Sequence, residues 1–228
     1  EKEADFKATN IKLYDDRTEY DLIIDKQKYK VSTPILGNFN VYNTLAAITT
    51  CILLGLSRED VIKRVQNLKS VSGRLDKVEN DKNVNIIVDY AHTPDALLNI
   101  LKSARLFTKN RIILVFGCGG NRDKAKRPIM GKIAQQNADI SIITSDNPRF
   151  EKEMDIIEDI LCGIDKTLDN YFVVQDREDS IKKAIELYEV GDLIMIAGKG
   201  HENSPIKGIK KYFLDDKLIA KKILNEKE

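Results

Sequence analysis

Three strongly apolar runs, Asn85 to Asp89, Arg111 to Phe116 and Asp139 to Thr144, are each followed by a polar loop and a helical stretch. Tyr171 to Gln175 and Asp192 to Ala197 are two further candidates. A strand with one wet face alternates apolar and polar residues, whereas a strand covered on both faces reads as a continuous Ile/Val/Leu run. Such runs alternating with helices predict a doubly wound α/β domain with a mostly parallel sheet from about Val78 onward.

The first 35 residues follow another pattern. Ile11 to Tyr14, Tyr20 to Ile24 and Tyr29 to Ser32 alternate and are separated by polar turns, as in a small antiparallel β element. Phe39, Val41, Leu45, Ala46, Ile48, Thr49, Ile52 and Leu53 then form a helical stripe that stops before Gly55. Ser57 followed by Asp60 marks the start of a second helix, with Val61, Ile62, Val65 and Leu68 as its apolar face. Two unequal domains fit a chain of 228 residues.

Several function classes are excluded by composition. The 37 basic and 36 acidic residues leave a net charge of +1, without the electrostatic term that drives nonspecific nucleic-acid binding. A hydrophobic fraction of 42% beside 32% charged residues is that of a soluble globular protein. No apolar run approaches the roughly 20 residues that span a bilayer, and a cytoplasmic location is expected. Cys51, Cys118 and Cys162 are odd in number and lack metal spacing, which implies free thiols. The chain starts at Glu1 without a signal-like segment, as expected of a processed or excised fragment.

Ligands of doubly wound sheets sit beyond the carboxyl ends of the strands. The loops expected there are Asp89-Tyr90-Ala91-His92, Gly117 to Asp123, Ser145-Asp146-Asn147-Pro148-Arg149 and Gly198-Lys199-Gly200-His201-Glu202, and they hold the unusual polar clusters of the domain. Gly117, Gly119 and Gly120 lack the third glycine of a dinucleotide fingerprint, and Arg122, Lys124, Lys126 and Arg127 after them suit an anionic group. Arg122 and Arg149 offer planar forks for a carboxylate, and Glu202 or Asp146 could take an ammonium, together matching an amino-acid head group. Surface salt bridging is the competing reading of the same residues. Pro148 stiffens the backbone before Arg149.

His92 and His201 have no ligand-spaced neighbours, so no metal site is expected. No nucleophile and base stand out, and no catalytic residue is assigned. Gly198-Lys199-Gly200 is not a Walker A motif, which puts the main cradle for any ATP elsewhere.

Six stretches carry a resemblance over nearly the whole chain: Gly37 to Asn43 with Ala46-Ala47, Ser72-Gly73-Arg74-Leu75, Asp89 to Pro94, Gly117 to Pro128, Asp146-Asn147-Pro148-Arg149, and Gly198 to Glu202. Together they resemble the Mur ligase family, and within it the ligases that add the third amino acid of the peptidoglycan stem peptide. The resemblance implies that residues 1–75 are the β/α end of the central ATPase domain, without its P-loop, and that residues 76–228 are the Rossmann-like α/β C-terminal amino-acid-binding domain. It implies an ATP- and Mg²⁺-dependent ligase that joins meso-2,6-diaminopimelate to UDP-MurNAc-L-Ala-D-Glu through an acyl phosphate.

In that family Asp-Asn-Pro-Arg marks the diaminopimelate-adding enzymes, and leaving a desolvated arginine unpaired would penalise lysine. The implied acceptor site is Arg122, Asp146, Asn147, Arg149, Gly198 and Glu202. The implied nucleotide-side residues are Asn43, Arg74, Asp89, Tyr90, His92, Lys124 and Lys126. The family's N-terminal domain, P-loop, magnesium positions and carbamylated lysine have no counterpart in the sequence, so the chain alone is expected to be inactive. Competing readings are the same ligase with meso-lanthionine or L-lysine as acceptor, a noncatalytic nucleotide- or amino-acid-binding module, and an NAD-dependent dehydrogenase built on the Gly117 loop.

Overall fold

A computed structural model describes residues 4–202, 206–207, 210–211 and 213–226. The chain divides into two compact units, residues 1–71 and 72–228. The expected domain limit, after residue 75, falls a few residues later in the chain.

The first unit is an antiparallel sheet of β1 (Phe6–Leu13), β2 (Thr18–Ile24) and β3 (Gln27–Thr33), packed by α1 (Asn38–Leu53) and α2 (Arg58–Val65). Strand alternation sends Tyr20, Leu22 and Ile24 of β2 inward, where they meet Val41 and Ile48 of α1 and Val61, Ile62 and Val65 of α2. Asp25 and Lys26 join β2 to β3 with φ of 48° and 66°. Two positive φ values in a two-residue loop are the hairpin geometry that matches strand twist. The Ser57 side chain caps α2 by accepting from the Asp60 N–H, as the sequence predicts.

The second unit is a six-stranded sheet in the order β4-β5-β9-β6-β7-β8. Its members are β4 (Asp76–Lys77), β5 (Ile86–Asp89), β6 (Ile112–Phe116), β7 (Ile140–Ile143), β8 (Tyr171–Val173) and β9 (Leu193–Ala197). β4 pairs antiparallel with β5 and all other neighbours are parallel. β5, β6 and β9 are buried at every residue, which is why they read as unbroken apolar runs.

Alternation along the strands turns Ile86, Val88, Ile113, Val115, Ile142, Ile194 and Ile196 to one face. There they pack against α6 (Arg177–Leu187) and α7 (Asp216–Glu226). The remaining helices α3 (Pro94–Arg105), α4 (Lys126–Asn137) and α5 (Glu153–Leu161) pack on one another in chain order. Each crossover from β5 to β8 steps the same way across the sheet, and the last returns to insert β9 between β5 and β6. That reversal brings the ends of β5, β9 and β6 side by side, the position where doubly wound sheets form a ligand crevice. Among the described residues no helix is long and apolar enough to cross a membrane.

Candidate functional site

A cleft of about 600 Å³ opens at this edge of the sheet. Arg122, Asp146, Asn147, Arg149, Gly198 and Glu202, from three different strand-end loops, all line it, as do Tyr90, His92 and Lys126. Asn43 lies exposed on α1 of the first unit, its Nδ2 donating to Asn40 Oδ1 at 2.7 Å.

The loop after β7 is built around a buried lysine. Lys199, in the loop after β9, is 1% exposed, and its Nζ donates to Asp146 Oδ1 at 3.1 Å and to Asn147 Oδ1 at 3.4 Å. Burial lowers the lysine pKa from its ordinary value, with the Asp146 charge acting the other way. Because Asn147 Oδ1 takes the ammonium, its Nδ2 faces Glu202 Oε2, to which it donates at 3.2 Å. The other carboxylate oxygen of Glu202 accepts from Tyr90 Oη at 2.7 Å. One network therefore joins the ends of β5, β7 and β9, and the hydrogen bond to Glu202 raises the Tyr90 pKa.

Gly198 makes this arrangement possible. Its φ is 115°, and a Cβ there would lie 2.7 Å from Asp146 Oδ2. Any side chain would strain the backbone and displace the carboxylate.

Arg149 points across the loop after β6. Its Nη1 donates to the carbonyls of Gly120 at 2.9 Å and Asn147 at 3.3 Å. Its Nε and Nη2, the edge suited to a carboxylate, have no partner among the described residues. Arg122 is exposed, with Nη1 on the carbonyl of Asn121 at 3.2 Å. The two strand-end loops are in direct contact, since a Cβ on Gly120 would collide with the Pro148 carbonyl. Arg122, Arg149, Asp146 and Glu202 thus line one cleft, and the surface-salt-bridge reading fails for Arg149, which has no carboxylate partner among the described residues.

The residues expected on the nucleotide side divide. Arg74 lies over the Tyr90 ring at 4.7 Å, His92 meets the same ring edge-on at 4.6 Å, and Lys126 Nζ donates to the His92 carbonyl at 2.8 Å. Asp89 instead turns inward at 3% exposure and accepts the N–H groups of Leu75 and Ala91, each at 2.8 Å. Burial raises its pKa despite those bonds. Lys124 Nζ lies 3.3 Å from Glu151. Cys118 is buried with its thiol pushed up to about 12, unsuited to nucleophilic work.

Lys199 and Glu151 are absent from the sequence-based sites, and Arg127 enters the sequence reading only as one of several cations suited to an anionic group. The only signal for Lys199 was its place between two glycines at a strand end. Burial of Arg127 and its pairing with Glu151 have no local signature at all.

Residues 73–200 match the family described as Mur ligase, glutamate ligase domain, and residues 1–51 match the Mur ligase middle domain. The chain is 48% identical over 223 residues to a UDP-N-acetylmuramoyl-L-alanyl-D-glutamate–2,6-diaminopimelate ligase of Clostridioides difficile, covering 98% of this chain and 46% of that protein. A ligase of the same name from Listeria monocytogenes is 43% identical over 226 residues, covering 99% of this chain and 46% of the relative. A solved structure of a ligase so named superposes with a TM-score of 0.74 at 34% identity, over 99% of this chain and 46% of the other. The MurF ligase of Thermotoga maritima in complex with ADP shares the fold, with a TM-score of 0.71 at 16% identity over 100% of this chain and 48% of that one. The chain spans about half the length of the curated relatives it matches. By these matches the chain belongs to the Mur ligase family.

Proposed function

We propose that this chain is the acceptor-binding part of a cytoplasmic, ATP-dependent ligase that joins meso-diaminopimelate to UDP-MurNAc-L-Ala-D-Glu in peptidoglycan synthesis. The observation that carries the reading is the open Nε/Nη2 edge of Arg149 in a cleft also lined by Arg122, Asp146 and Glu202. Diaminopimelate ends in an amino-acid head group that lysine lacks. Arg149 and Arg122 would hold its distal carboxylate, and Glu202 with Asp146 its ammonium. An acceptor without that carboxylate would leave a desolvated arginine unpaired, which disfavours it by more than one lost contact.

The other end of the acceptor carries the attacking amine. Held at its far end, the molecule presents that amine along a fixed line, so the chain contributes orientation. ATP, when bound, supplies the phosphoryl group that activates the D-Glu carboxylate as an acyl phosphate. Arg74, Tyr90, His92 and Lys126 suit the phosphate side of a nucleotide, with cations beside an aromatic surface, and Asn43 and Lys124 remain candidates for the same role. Asp89 would serve that side by tying Leu75 to the end of β5. No three carboxylate, His or Cys groups gather as a metal site among the described residues. Mg²⁺ would be held chiefly by the part of the ligase that this chain does not span, as the family resemblance implies.

The test is an assay of the full-length protein with UDP-MurNAc-L-Ala-D-Glu, ATP and Mg²⁺, with each acceptor supplied in turn. The expected result is ADP release coupled to a tripeptide product with meso-diaminopimelate, and a kcat/KM for L-lysine lower by about 100-fold or more. Equal turnover of both acceptors would overturn the assignment. The 228-residue chain alone should form no product.

A further inference from the structure

Among the described residues neither arginine of the acceptor cleft is steered by an acidic partner of its own, and both rest on backbone carbonyls. Their aim therefore depends on how the two loops are held. Asn121, next to Arg122, has φ 51°, and Arg149 has φ 53°. Non-glycine residues keep that left-handed conformation only where the surroundings enforce it.

The enforcement converges on one carboxylate outside the cleft. Glu151 Oε1 accepts the Asn121 N–H at 2.5 Å and Arg127 Nη2 at 3.0 Å, while its Oε2 accepts Arg127 Nη1 at 2.9 Å. Arg127 is fully buried, and it also reaches Asp159 Oδ2 at 2.7 Å and the Gly119 carbonyl at 3.3 Å. The Asn121 side chain closes the clasp by accepting the N–H of Phe150 at 3.1 Å, directly after Arg149. The fork of Arg127 and the Asn121 N–H hold the Glu151 carboxyl down at about 2, so it stays ionised at any working pH.

We propose that Glu151 is a positioning residue for acceptor selection: with Arg127 and Asn121 it locks the loops after β6 and β7 together and so sets the direction of Arg122 and Arg149. The inference rests on the acceptor-site reading above. A strut that merely stabilised the fold would affect every acceptor alike. A device that aims the two guanidiniums affects only the acceptor that carries a distal carboxylate.

The experiment is steady-state kinetics of the full-length ligase with meso-diaminopimelate and L-lysine, comparing wild type, Glu151→Gln and Asn121→Gly. Glutamine places an amide N–H₂ against the donors of Arg127, and glycine keeps the positive φ while removing the clasp on Phe150. For Glu151→Gln the expected result is a KM for diaminopimelate raised about tenfold, with kcat within about threefold and the KM for lysine unchanged. Asn121→Gly should shift the same preference in the same direction by a smaller factor. If Glu151→Gln fails to fold, the Asn121→Gly ratio decides. An unchanged preference in the folded variants, or an equal loss of kcat with both acceptors, would overturn the proposal. A wild-type enzyme with no preference would instead overturn the acceptor-site reading beneath it.

Discussion

Lys199→Met lowers the stability of the chain by about 3–5 kcal/mol, read as a lower urea midpoint. The lysine is 1% exposed and the Asp146 side chain 6%, so the substitution leaves a carboxylate inside the protein with its counter-charge gone. An intact buried pair adds little net stability, because desolvation offsets most of the attraction, but removing one member exposes the whole desolvation cost of the other. The double variant Lys199→Met with Asp146→Leu should therefore recover much of the loss. It should not recover acceptor binding, because Asn147 loses the ammonium that orients its amide and Glu202 loses a settled partner. A single variant as stable as wild type would mean that the buried pair is not formed in solution.

Arg149→Ala weakens binding of diaminopimelate by about 2–4 kcal/mol, roughly 30- to 1,000-fold in Kd. The loss is large because the carboxylate would exchange a two-point charged contact for water in a partly closed cleft. Arginine and alanine both carry a Cβ, so the φ of 53° adds no new strain in the variant, and a melting curve should show that it stays folded during the titration. Arg149→Lys keeps the charge without the fork and should recover only part of the affinity. Calorimetric titration of the variants checks both values. An affinity that survives in Arg149→Ala would remove this residue from the site.

Much of the fold is legible in the sequence because burial on both faces writes itself into continuous apolar runs such as Ile112–Phe116. The parallel sheet, its helices and the common edge of the functional loops follow from that pattern. The short antiparallel β4, only Asp76–Lys77, is too brief to carry a period. The insertion of β9 between β5 and β6 depends on crossover geometry, which hydrophobicity does not encode.

The cleft was legible through residue chemistry, since arginine, aspartate and glutamate at strand ends have few purely structural reasons to collect there. Its support was not. Asp89 reads like the others, yet its carboxylate turns inward to hold Leu75 and Ala91. Lys199 and Arg127 look like ordinary surface cations until the fold buries them against Asp146 and Glu151. The positive φ of Asn121 and Arg149 is likewise imposed by partners distant in sequence.

The central claim is that the cleft selects an acceptor by its distal carboxylate. Its most direct test is a calorimetric titration of this chain with meso-diaminopimelate, meso-lanthionine and L-lysine under one set of conditions. The account predicts binding of diaminopimelate and lanthionine, which both carry the distal head group, and lysine weaker by about 100-fold or more. Lysine binding as tightly as diaminopimelate, or no binding by any of the three, would contradict it.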